Sequence, residues 1–149
     1  MELLLVLDLN KSLILRVNGK VHVRKNIKAF VKFCFSIGDV AVYTSMLPKN
    51  IDLTYIFTNE MIKKLIFVWD RSKTFLDSQG TNSWDTLKSI DLIKTEYPNY
   101  ERIIMVDDSP NKLRYIDPID KIIIPPFEDI KEEGDVLIKL MEEIKDRLI

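Results

Sequence analysis

The 149-residue chain reads as an α/β protein with a mostly parallel central sheet, built as one domain over residues 1–149. Three observations predict this. Short, wholly apolar runs alternate with longer segments of helical periodicity, as strands buried on both faces alternate with the helices that cover them. Polar residues cluster directly after those runs, where an open parallel sheet presents its carboxyl edge to ligands. Gly and Pro are scarce, 4 and 6 in all, so each marks a boundary, and no repeat, low-complexity tract or linker divides the chain.

Leu3-Leu4-Leu5-Val6-Leu7 is a first buried strand. The runs Leu13–Val17 and Val21–Arg24 flank Asn18-Gly19, a hairpin signal because a type I′ turn needs positive φ at both central residues. Ile27, Phe30, Val31, Cys34 and Phe35 recur at helical spacing after Asn26, a plausible N-cap, and Gly38 ends that helix. Asp39–Tyr43 is a second buried strand, followed by Thr44-Ser45. A short helix is expected from about Lys49 to Asn59, a third strand over Leu65–Trp69, and a polar, irregular stretch from Arg71 to Ser83. Trp84–Tyr97 reads as a helix, Arg102–Val106 as a fourth strand and Lys121–Ile124 as a fifth, stopped by Pro125-Pro126. Asp135–Leu148 closes the chain as a helix whose apolar face carries Leu137, Leu140, Met141, Ile144 and Leu148.

Composition excludes several functions. A net charge of −1 and a pI near 5.9 argue against a dedicated nucleic-acid binder, which would be basic. One histidine, His22, in the alternating run Val21–Arg24, cannot build a histidine metal cluster, and no nucleophile-elbow motif accompanies it. The one cysteine, Cys34, cannot form an internal disulfide and lies in an apolar helical stretch, the place of a small core residue. No apolar run reaches the ~20 residues of a membrane span, and the apolar start lacks the basic leader and cleavage site of a signal peptide. A cytoplasmic or nuclear location is the expectation. Lys63-Lys64 and Lys131-Glu132-Glu133 read as solvated surface, and Trp69 as core.

The chemistry lies in the residues just past the strand ends. Asp8, Thr44-Ser45, Asp70-Arg71 and Asp107-Asp108 each directly succeed a strand, which brings four polar clusters to one sheet edge. Three carboxylates that close would repel one another and stay partly protonated. A hard cation such as Mg²⁺ resolves this, because it takes one or two carboxylates, a backbone carbonyl, waters and a phosphate oxygen. A carboxylate can also attack phosphorus to form an aspartyl-phosphate. Phosphoryl transfer then needs a cation and donors around the equatorial oxygens, and Thr44, Ser45, Lys88 and Arg71 are candidate donors.

Asp8-Leu9-Asn10-Lys11-Ser12, Val42-Tyr43-Thr44-Ser45, Lys88 and Ile104–Pro110, in that order, resemble the four motifs of the haloacid dehalogenase superfamily. Asp107-Asp108-Ser109-Pro110, Tyr43-Thr44-Ser45 and the stretch Val23–Val31 narrow this to the domain shared by the TFIIF-associating and small CTD phosphatases, the NLI-interacting-factor-like domain. The resemblance covers essentially the whole chain. It implies a three-layer haloacid dehalogenase-like sandwich with a minimal cap, here the Asn18-Gly19 β-hairpin. It implies that Asp8 is the nucleophile and a Mg²⁺ ligand, that Thr44 bonds the transferring phosphoryl group, that Lys88 neutralises charge on the phosphorylated aspartate, and that Asp107 and Asp108 hold the metal. The backbone carbonyl at position 10 would be a further metal ligand. The implied substrate is phosphoserine or phosphothreonine in a flexible peptide such as the RNA polymerase II tail. A small cap leaves the site open to such a peptide.

The chain departs from the family at Asn10, which stands where the family usually has the aspartate that acts as general acid and base. An amide cannot protonate a leaving alkoxide, and general acid–base catalysis is worth roughly 10²–10⁴-fold. Asn10 is natural in a branch of the family, or an engineered trap, or the mark of a pseudophosphatase. This leaves two main readings. The first is an active Mg²⁺-dependent protein phosphatase, which must draw its proton from Asp107, Asp70 or water. The second is a catalytically weak or inactive domain that binds a phosphopeptide or protein partner. A small-molecule phosphatase is a third reading, disfavoured by the small cap. Ser12 replaces the usual threonine and keeps the hydroxyl. The spacing from Lys88 to Asp107 is slightly longer than usual. Arg71 is displaced by one residue from the phosphate-contacting arginine of the small CTD phosphatases, and Trp84 could line a peptide groove.

Overall fold

A computed structural model describes residues 2–77, 86–132 and 134–149. Five strands form the central sheet: β1 (Leu3–Leu7), β4 (Asp39–Tyr43), β5 (Val68–Trp69), β8 (Arg102–Asp107) and β9 (Lys121–Ile123). Their order is β5-β4-β1-β8-β9 and every pair is parallel. The chain steps outward from β1 to β5, then returns to the other side of β1 for β8 and β9. The reversal of direction falls beside β1, where a crevice opens beyond the carboxyl ends of the strands.

Among the described residues, two antiparallel strand pairs and four α-helices complete the fold. β2 (Ile14–Val17) pairs antiparallel with β3 (Lys20–Val23), and β6 (Phe75–Leu76) with β7 (Thr86–Leu87). The helices are α1 (Ile27–Ile37), α2 (Asn59–Lys64), α3 (Ile90–Glu96) and α4 (Val136–Arg147). None of the described helices is long and apolar enough to cross a membrane.

The pleat of β1 sorts its five buried residues between two cores. Leu3, Leu5 and Leu7 join Phe30, Val31 and Cys34 of α1 and Leu137, Leu140 and Ile144 of α4. Leu4 and Val6 join Tyr43, Trp69, Ile90 and Ile93 on the face that α3 covers. Each fully buried Leu or Ile contributes about 1.5–3 kcal/mol, so β1, with both faces covered, is the best-anchored strand of the sheet. Trp69 stacks on Phe67 with centroids 4.1 Å apart, a core position as expected. Cys34 is buried as well, and burial pushes its thiol well above the usual thiol range.

Two glycines are required where they stand. Asn18 and Gly19 have φ of 53° and 77°, the two positive values that the β2–β3 turn demands. A Cβ on Gly38 would lie 2.8 Å from the Leu3 carbonyl oxygen, so only glycine lets the end of α1 pass over β1.

Several local expectations are corrected. No single helix spans residues 49–59. Two 3₁₀ turns, Pro48–Asn50 and Leu53–Tyr55, precede α2, because Asp52 and Thr58 each cap a new start through Thr54 N–H and Met61 N–H. Asn26 occupies the N-cap position of α1 but in the left-handed conformation and with no side-chain cap bond. The helix expected from Trp84 begins at Ile90, with Ser89 Oγ accepting from Leu92 N–H, and Thr86–Leu87 is strand instead. Trp84 and the end of the irregular stretch before it lie outside the described residues. Glu132 is no free surface charge, being ion-paired to the buried Arg24.

Candidate active site

Asp8 follows β1, Thr44 follows β4, and Asp107 ends β8 with Asp108 next. Three adjacent strand ends therefore deliver these groups to one crevice of about 500 Å³, whose lining includes Asp8, Asn10, Thr44, Ser45, Arg71, Asp107 and Asp108. Of the metal, catalytic and substrate positions expected from the sequence, Lys88 lies beneath that lining and the alternative proton source Asp70 lies outside it; the others line it. Lys88 follows β7, and its Nζ donates to Asp8 Oδ1 at 3.1 Å and Asp107 Oδ2 at 2.5 Å. The Tyr43 ring lies 5.6 Å from Nζ, and the Tyr43 hydroxyl accepts from Ser89 N–H at 3.2 Å and donates to the Lys73 carbonyl at 2.5 Å. The residue after Lys88 is thereby tied to β4.

The floor is charged and dry: Asp8, Lys88 and Asp107 are 6%, 5% and 1% exposed. Burial holds the Asp8 carboxyl above the usual carboxylate range; the Lys88 ammonium opposes this and Asp108 reinforces it. Burial and the Asp8 charge push Asp107 up to about 6, against the pull of Lys88 and of Ser109 N–H, which donates to Oδ1 at 3.0 Å. Burial acts to strip the Lys88 proton, but the two carboxylates outweigh it and hold Lys88 above the usual lysine range.

One ammonium cannot neutralise three carboxylates. Asp8, Asp107 and Asp108 each offer an oxygen, and the three oxygens lie within 4.8 Å of one another. A set of hard oxygen donors this close, with the Asp8 and Asp107 carboxyls raised first by burial and then by a neighbouring carboxylate, fits a divalent cation of the Mg²⁺ type. Ser12, which the sequence marked only as a conservative replacement, stands between two of these groups. Its Oγ lies 2.8 Å from Asp8 Oδ2 and 3.1 Å from Asp108 Oδ1. A hydroxyl has one proton, so it donates to one carboxylate at a time.

The remaining positions divide by commitment. Thr44 is buried and its Oγ1 accepts from Met46 N–H at 3.1 Å, which leaves its hydroxyl proton to donate. Ser45 Oγ is buried with no hydrogen-bond partner among the described residues, a cost that a bound acceptor would relieve. Asn10 Oδ1 accepts from Arg16 N–H at 3.4 Å. Asp70 is an N-cap whose Oδ1 accepts from Ser72 N–H at 2.8 Å, and it is not part of the crevice lining. Of the alternative acids, Asp70 points its capacity elsewhere and Asp107 is engaged by Lys88. The rim carries Lys11, Arg16, Arg71 and Lys112. Of these only Arg71 was anticipated; cations on a turn and a hairpin carry no local signal that they share a crevice.

The carboxyl edge of this parallel α/β sheet thus gathers a carboxylate trio, a buried lysine and hydroxyls in one crevice. The chain belongs to the NLI interacting factor-like phosphatase family, whose model matches residues 3–148. It is similar in fold to Fcp1, described as an essential RNA polymerase II CTD phosphatase, at a TM-score of 0.60 and 16% identity over 99% of this chain and 48% of that one. It is similar also to fission yeast RNA polymerase II CTD phosphatase Fcp1 bound to beryllium fluoride, at 0.61 and 15% over 99% and 50%. The chain thus spans about half the length of these structures, and at such identities the likeness concerns the fold. No curated protein matches it in sequence.

Proposed function

We propose that the chain is a single Mg²⁺-dependent phosphatase domain that hydrolyses phosphoserine or phosphothreonine in an extended peptide of the RNA polymerase II tail type. The observation that carries this reading is the bridge from Lys88 to Asp8 and Asp107 at the floor of an open crevice. A nucleophilic carboxylate must be held in a fixed orientation, and Lys88 holds Oδ1 of Asp8 while Ser12 Oγ lies 2.8 Å from Oδ2. The backbone carbonyl of Asn10 and the carboxylates of Asp8, Asp107 and Asp108 are the groups that would hold the metal. When bound, the cation supplies positive charge against the phosphoryl oxygens.

Asp8 attacks phosphorus, the ester P–O bond breaks, and the serine oxygen leaves with the bonding pair. Thr44 and Ser45 donate to the equatorial oxygens, and Lys88 balances the charge left on the phosphorylated aspartate. The departing alkoxide must gain a proton that Asn10 cannot give, and with Asp70 and Asp107 committed elsewhere, water is its source. A water molecule then attacks the aspartyl-phosphate, releases inorganic phosphate and restores Asp8. The exposed cations Lys11, Arg16 and Arg71 suit the negative charge of a phosphorylated peptide. Such a substrate belongs in the cytoplasm or nucleus, and a lone buried cysteine suits a reducing compartment.

Asn10 favours a second reading, a pseudophosphatase that binds a phosphopeptide without turning it over. Hydrolysis with Mg²⁺ of an aryl phosphate and of a phosphorylated polymerase-tail peptide separates the two. Turnover by the chain as it stands, abolished by Asp8→Asn, supports the enzyme. Turnover only after Asn10→Asp supports the pseudophosphatase. Turnover by neither sinks the assignment of Asp8 as nucleophile.

A further inference from the structure

The loop after β1 carries the nucleophile, Asn10 and Ser12, and the chain holds it from outside at two adjacent carbonyls. Phe127 N–H donates to Lys11 O at 2.6 Å. Arg24 Nη1 donates to Ser12 O at 3.0 Å. Arg24 is 1% exposed, among the most deeply buried large side chains of the protein. Its Nε and Nη2 donate to Glu132 Oε2 and Oε1 at 2.9 and 2.7 Å, and its guanidinium lies over the Phe127 ring at 5.4 Å. Lys11, next to the clamped carbonyl, has φ of 67°, a conformation a non-glycine residue keeps only when its surroundings impose it.

A buried ion pair is poor evidence of stability, because an apolar pair of similar volume often packs as well. What an apolar pair cannot do is donate to the Ser12 carbonyl. That carbonyl belongs to the residue whose hydroxyl lies between Asp8 and Asp108. We propose that Arg24 and Glu132 are a positioning pair: they fix the Ser12 backbone, and through its hydroxyl the orientation of the Asp8 and Asp108 carboxylates that receive the metal. This inference rests on the phosphatase reading for its effect on turnover, but not for its effect on cation binding. Outer partners of metal ligands are worth roughly 10–100-fold in affinity or activity.

The test is Arg24→Met with Glu132→Leu in the full chain, read by Tm, by Mg²⁺ affinity in titration calorimetry and by kcat and KM on an aryl phosphate. The expected result is a folded protein with Tm close to the parent, Mg²⁺ bound at least tenfold more weakly, and kcat reduced at least tenfold with KM little changed. Mg²⁺ affinity and kcat both within twofold of the parent, at unchanged Tm, would overturn the proposal and leave the pair a packing element. If the double variant does not fold, Arg24→Lys, which keeps the charge beside Glu132 but not the fork that reaches both Glu132 and the Ser12 carbonyl, is read by the same criteria. A parent chain that binds Mg²⁺ but hydrolyses nothing sinks the enzymatic reading alone, and the affinity comparison still decides this one. A parent that binds no Mg²⁺ overturns it.

Discussion

On the floor of the crevice, Asp8, Lys88 and Asp107 sit beside strand ends, buried and locked to one another. On its rim, Lys11, Arg16 and Arg71 sit on a turn, a hairpin and a 3₁₀ turn, exposed to solvent. The floor groups have lost water and depend on each other for neutrality, so a change there alters protonation, metal affinity and chemistry together. The rim groups keep water and are screened by salt, so a change there alters only how strongly an anion is attracted. The largest break in that division should come from Asp8→Asn. An amide cannot attack phosphorus, and turnover should fall on the order of 10⁴–10⁶-fold, the scale on which loss of a covalent nucleophile registers. Burial already disfavours the charged form of Asp8, so the same variant should unfold at an equal or higher Tm. A clearly lower Tm would mean that the floor is held together by charge at Asp8 and not in spite of it.

Asn10 stands between the two regions, lining the crevice with its amide tied to the Arg16 backbone. Asn10→Asp restores a group able to carry a proton. Hydrolysis of a phosphoserine peptide should rise by roughly 10²–10⁴-fold, and hydrolysis of an activated aryl phosphate far less, because that leaving group departs unprotonated. Equal gains on both substrates would show that the new charge acts on the metal and not as an acid. Comparison of the pH–rate profiles of the two proteins checks this: beyond the low-pH loss both share through Asp8 and Asp107, the Asp variant should lose rate as pH rises through the pKa of the new carboxyl, a fall that the parent lacks.

The metal itself should follow the floor's titration. Without it, Asp107 titrates near 6 and Asp8 above the usual range. Both native values are raised, so the folded state takes up protons before the unfolded state as pH falls through about 6. These groups therefore destabilise the metal-free protein above that pH, and the penalty fades as pH falls from about 6 to the unfolded carboxylate value of 3.8. Mg²⁺ at about a hundredfold excess over its Kd should add about 2–3 kcal/mol, several degrees in Tm, at pH 7.5. At pH 5 it must displace protons and should add clearly less. Scanning calorimetry at the two pH values, with Mg²⁺ and with chelator, measures this. An increment that does not shrink at pH 5 would mean the ion binds away from the buried carboxylates.

The sheet was legible because a strand buried on both faces becomes a continuous apolar run. Leu3–Leu7 and Arg102–Val106 announced β1 and β8, and with them the carboxylates at their ends. Lys88 was not legible by any local pattern. It follows a two-residue strand, too short to have a period; the sequence offered it as one of four candidate donors, and resemblance to a family gave it its particular role. Glu132 escaped altogether, since its meaning comes from Arg24, which lies 108 positions away. Residues 49–59 misled for a different reason: Asp52 caps a 3₁₀ turn that does not propagate, and Thr58 starts a separate helix, α2, only where the expected one was to end. Burial writes itself into sequence as hydrophobicity, whereas partnership between distant polar residues leaves no local trace.

The smallest effect belongs to the rim and gives the sharpest test of its separation from the floor. Arg71 lines the crevice, is exposed, and caps no strand. Arg71→Ala should raise KM for a phosphopeptide by about 3–10-fold, as befits one solvated charge contact, with kcat within about twofold. The KM difference from the parent should shrink in 0.5 M salt, where the Debye length falls to about 4 Å and exposed charges act only at contact. Tm should not move, because the side chain's removal leaves no buried group unpaired. A fall in kcat approaching that of Asp8→Asn, or a KM effect that salt leaves intact, would place Arg71 against the transferring phosphoryl group and move it from rim to floor.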